Sequence, residues 1–138
     1  AARLAREAAE RPTPRSRLAA ASLAARLSLL RGDTAAALRR LSALPVVAPR
    51  DSLSWEYFEP LATDRLTLAT LLLQRGRPAD AIAQASAFDH QEPVAFLPFI
   101  RPSLELRARA AEQLGQGAVA ARFRARLRAL DAAGRAGA

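Results

Sequence analysis

The chain has 138 residues, a net charge of +8 and no cysteine, and all 21 of its basic residues are arginine. That length suits one compact domain or a short stack of repeats. Without Cys there is no disulfide and no thiolate metal site, and without Lys there is no Walker phosphate loop.

Alanine supplies 35 positions, against six Gly. A chain rich in Ala, Leu and Arg predicts an all-α fold, because these side chains lose little rotamer freedom in a helix. Residues 1–50 carry ten Arg and three acids, 51–100 three Arg and seven acids, and 101–138 eight Arg and three acids. This basic–acidic–basic layout speaks of association rather than fold. The longest uncharged apolar stretch, "LTLATLLLQ" at 66–74, is about half of what a membrane span requires. A soluble chain is expected, with the cytoplasm favoured and extracellular assembly left open. The start at Ala1 implies processing from a precursor or an excerpt of a larger protein.

In chain order, "AARLAREAAE" (1–10) predicts a helix without a partner, a terminal cover or half repeat within 1–12. Thr13 suits the N-cap of a helix opening at Pro14 and running to Arg31. Further helices are predicted near 34–44, 60–75, 78–88, 103–114 and 117–130, about seven in all, before an Ala/Gly tail at 131–138. Two connectors interrupt them, "PVVAPRDSLSWEYFEP" (45–60) and "DHQEPVAFLPFIRP" (89–102). Each ends in a proline, Pro60 or Pro102, suited to opening the next helix.

Three segments align on a glycine: Gly32, Gly76 and Gly115. Seven residues before each stands Ala25, Ala69 or Ala108, and five after each stands Ala37, Ala81 or Ala120. Twelve after comes a bulky apolar residue, Leu44, Phe88 or Leu127. This is the pattern of a helical hairpin: glycine ends one helix in a left-handed turn, and the alanines let its two helices approach closely. The repeats are then 13–45, 46–88 and 89–130.

The stretch "LLLQRGRPADAIAQA" (71–85) resembles the tetratricopeptide repeat, with that family's turn followed by Ala-Ile. The resemblance covers roughly residues 18–130 and is weakest in the third unit, where Arg107 and Arg124 replace apolar residues. It implies antiparallel hairpins stacked as a short right-handed solenoid. It also implies a groove lined by first helices: Ser22, Arg26, Thr63, Thr70, Gln74, Glu105, Arg109 and Glu112. A fainter likeness is to the helical-repeat tails of large bacterial signalling proteins.

The connectors hold Trp55, Tyr57, Phe58, Phe96 and Phe99, five of the seven aromatics. A disordered linker would be poor in rings. These rings either plug the grooves between hairpins or form a docking surface for a protein. Acids flank both connectors and no Arg cluster sits beside the rings, so membrane insertion is not expected.

Little chemistry is legible. His90 stands beside Asp89 and Glu92, but no nucleophile motif accompanies it. Glu56 with Glu59, or Glu105 with Glu112, are too few to hold a metal. No cofactor motif occurs, so catalysis is not expected. The run "RFRARLRAL" places Arg122 and Arg126 on one ridge and Arg124 and Arg128 on another, flanking Val119, Phe123, Leu127 and Leu130. The expectation is therefore a non-enzymatic scaffold acting by protein–protein contact, with copies of itself as a leading partner, in an oligomer or filament. A partner-binding or sensor segment of a larger bacterial regulator is the alternative. A nucleic-acid partner ranks third, because the connector rings lack adjacent basic residues.

Overall fold

The computed structural model describes residues 14–44, 60–89 and 96–136, and among these every regular element is helical. Six α-helices follow in order: α1 (Pro14–Leu30), α2 (Thr34–Ser42), α3 (Pro60–Gln74), α4 (Pro78–Ala85), α5 (Leu97–Gln113) and α6 (Gly117–Ala136). A 3-10 turn, Ser86–Asp89, extends α4. The expected helix at 1–10 and the connector at 45–59 lie outside the described residues.

One turn occurs three times. Gly32, Gly76 and Gly115 have φ of 75°, 69° and 69°, a region L-residues enter only at a cost. Each glycine N–H reaches back three residues, to Leu29, Leu73 or Glu112. The next N–H, of Asp33, Arg77 or Gln116, reaches back five, to Ser28, Leu72 or Ala111. That pair of bonds satisfies carbonyls the ending helix would otherwise leave open. The following helix then closes from the same register, with Ala37, Ala81 and Ala120 donating to the carbonyls of Asp33, Arg77 and Gln116.

The starts differ in chemistry. The Asp33 carboxylate accepts from the Ala36 N–H at 2.8 Å, a side-chain cap on α2. Arg77 offers no such cap; instead Pro78 fills the first helical position, where a missing N–H costs nothing.

The chain divides into two compact units, 1–64 and 65–138. In the first, α1 packs on α2, burying Ala25, Ala36, Ala37 and Leu41. In the second, α5 packs on both α4 and α6, and the 3-10 turn lies against α4 and α5. Its core holds Ala69, Leu72, Ala81, Ala85, Phe88, Leu104, Leu106, Ala111 and Ala120. All six register alanines are buried, as close helix approach demands.

Two boundaries correct the sequence expectation. Helix α5 begins at Leu97 rather than 103, and Pro102 lies inside it. Pro98 occupies the early position expected of Pro102, while the Ser103 hydroxyl donates to the Ile100 carbonyl beside the second proline. At the other end, α6 runs to Ala136 through most of the expected tail. Alanines favour its continuation, and Arg135 in the last turn suits the negative end of the helix dipole.

Candidate functional site

Polar groups and rings converge within the second unit where the 3-10 turn meets α5 and α6. The Phe88 side chain, 1% exposed, packs edge-on to Phe96 with centroids 5.2 Å apart. It stacks on Phe99 at 5.6 Å. Both partner rings are half-buried. Such pairs add about 0.5–1.5 kcal/mol beyond the area they bury.

Beside the rings, Arg107 of α5 is 1% exposed yet charged. It donates to both oxygens of Asp89, at 2.5 and 3.0 Å, and to the carbonyl and hydroxyl of Ser103, each at 3.3 Å. A flat face of its guanidinium covers the Phe123 ring of α6, 4.8 Å from the ring centroid. Arg126 of α6 completes the cluster by reaching Asp89 at 2.7 Å. The Arg107 hydrogen bonds, outweighing a desolvation that acts the other way, hold the Asp89 carboxyl below its ordinary range. A buried cation is tolerated here because each of its three guanidinium nitrogens donates a hydrogen bond and a carboxylate faces it.

Of the residues expected at a docking surface, Phe96 and Phe99 enter this cluster, and Trp55, Tyr57 and Phe58 lie outside the described residues, as does His90. Of the expected groove, Ser22 is buried and presents nothing to solvent. Thr63, Gln74 and Arg109 are exposed. The Thr70 hydroxyl donates to the Leu66 carbonyl on its own helix. Arg26 pairs at 3.1 Å with the 3%-exposed Asp64 carboxylate of the first unit. Glu105 pairs with Arg101, and Glu112 with Arg124. In the basic run, Arg124 and Arg126 are thus engaged, while Arg122 and Arg128 are exposed and form no ion pair with a described residue.

Sequence reasoning missed Asp89 and Arg107 as a pair. A signal was present: Arg107 interrupts the apolar positions Leu104, Ala108 and Ala111 of one helical face. A lone Arg on such a face requires a carboxylate from another element.

Among the described residues no group of His, Cys, Asp or Glu could hold a metal ion, and no helix is long and apolar enough to cross a membrane. No family model, curated protein or solved structure matches the chain.

Proposed function

We propose that the chain is a non-enzymatic scaffold, similar to the tetratricopeptide repeat, that works by protein–protein contact. Its hairpins stack as a right-handed solenoid of about seven helices. The observation that carries this reading is the glycine turn, repeated three times with one hydrogen-bond pattern and one pair of buried alanines. Identical modules that bury a face only against a neighbour are the economy of repeat proteins. Small-angle scattering tests the shape and light scattering the partner. An elongated particle whose mass rises with concentration supports self-association; a compact globule removes the solenoid.

A second reading is a partner-binding segment of a larger regulator, monomeric by itself. It is favoured by the register of α6. Nine residues after Gly76 stands fully buried Ala85, and the same position after Gly115 is exposed Arg124. A charged outer face closes a stack rather than extending it. A constant monomer mass in light scattering selects this reading. Tight oligonucleotide binding that collapses with salt would displace both.

A further inference from the structure

The register that aligns the three turns also brings two serines into correspondence. Ten residues after Gly32 and Gly76 stand Ser42 and Ser86, and ten after Gly115 stands Ala125. The Ser86 hydroxyl is engaged, donating to the Ala83 carbonyl at 2.7 Å. Ser42, the last residue of α2, is exposed, and its hydroxyl bonds to no described residue.

The residues before them differ as well. Three and two positions before Ser86 are Ala83 and Gln84; before Ser42 they are Arg39 and Arg40. Both arginines are exposed and form no ion pair with a described residue. The described carboxylates of the first unit do not compete for them, because Asp33 caps α2 and Asp64 holds Arg26. Two permanent cations at these two places before a free hydroxyl suit the acidic substrate groove of an arginine-directed protein kinase. There guanidinium forks pair with carboxylates in a way no neutral side chain can copy.

We propose that Ser42 is a phosphorylation site for a serine kinase of that class. This goes beyond the scaffold proposal and does not rest on it. The Ser42 Oγ attacks the γ-phosphorus of Mg–ATP, the bond from that phosphorus to the β,γ-bridging oxygen breaks, and ADP leaves. The hydroxyl proton passes to the catalytic carboxylate of the kinase. Such a groove takes its substrate extended, so the last turn of α2 opens first. Opening breaks the bonds from the Ala43 and Leu44 N–H groups to Arg40 and Leu41, and draws Leu41, 2% exposed, out of the core. Helix ends are where such opening costs least. The product places a charge of about −1.5 to −2 beside Arg39 and Arg40, offsetting the local positive charge. It also sits at the negative end of the α2 dipole, where it disfavours re-forming the last turn.

The full chain is incubated with the catalytic domain of an arginine-directed serine kinase, Mg²⁺ and γ-labelled ATP, and the modified residue is located by mass spectrometry. A synthetic peptide of residues 36–46 is run alongside. One phosphate is expected per chain, on Ser42, with Ser86 unmodified and the peptide reacting faster than the chain. Arg39→Ala and Arg40→Ala, both at exposed positions, each lower the rate on the chain about ten-fold or more, and Ser42→Ala abolishes labelling. Labelling of the peptide without the folded chain overturns the proposal, as does labelling of neither. So does phosphate on Ser86 at a comparable rate, or a rate on Ser42 that either arginine variant leaves within about two-fold.

Discussion

Asp89 and Arg107 form a two-pronged ion pair in which the cation is buried and the anion, 36% exposed, is not. The asymmetry decides which half matters. Removing the carboxylate leaves a buried guanidinium without its partner; removing the arginine leaves a half-exposed carboxylate that Arg126 still neutralises. Asp89→Ala is therefore expected to destabilise the fold by about 2 kcal/mol or more, and Arg107→Leu by about 1 kcal/mol or less. Urea denaturation of the two variants measures the difference. Equal costs would contradict it.

The same pair sets a pH dependence. Its hydrogen bonds depress the folded carboxyl of Asp89 below the ordinary 3.8, so the stabilisation is complete above that value. It is lost as pH falls through the lower folded value. The melting-temperature gap between the native chain and Asp89→Asn should be constant near neutrality and close below pH 3.8.

The aromatic cluster answers to burial. Phe88→Ala should cost about 3–5 kcal/mol, the range for a fully buried ring. Phe96→Ser and Phe99→Ser, at half-buried rings, should each cost less and leave the helical circular dichroism intact. A collapse of the fold in either serine variant would make those rings core.

Glycine substitutions separate backbone from packing. A Cβ at Gly76 or at Gly134 meets no atom within 4 Å, but only Gly76 has a positive φ. Gly76→Ala is expected to destabilise by about 1 kcal/mol. Gly134→Ala, within α6, should stabilise by up to about 1 kcal/mol. Thermal melts monitored at a helical wavelength report both signs.

Alanines offer the matching contrast in volume. Ala37→Leu and Ala81→Leu enlarge fully buried positions and should cost about 1–3 kcal/mol or more. Ala125→Leu, on the exposed side of α6, should change stability by about 0.5 kcal/mol or less.

The glycine turns and register alanines could be read from the sequence because a left-handed turn and a close helix approach each restrict a position to one or two residue types. The rim of α5 could not. Pro98 and Pro102 carry the same local helix-opening signal, and nothing local chooses between them; the helix opens at the first, where Phe96 and Phe99 pack on Phe88. Asp89 and Arg107 are 18 residues apart on different elements, so no local pattern joins them. The basic run was legible as flanks of an apolar stripe, but which arginines are engaged depends on Glu112 and Asp89 arriving from other elements.

The carboxylate that neutralises Arg107 comes from outside the hairpin that contains it. A fragment of α5 and α6 alone, excised at the connector, would carry a desolvated guanidinium with nothing to answer it. Any piece meant to keep the buried Arg107 neutral has to include Asp89. A repeat boundary drawn just before Asp89 keeps that pair but separates Phe88 from Phe96 and Phe99, so the packed block cuts across the boundary at its rings.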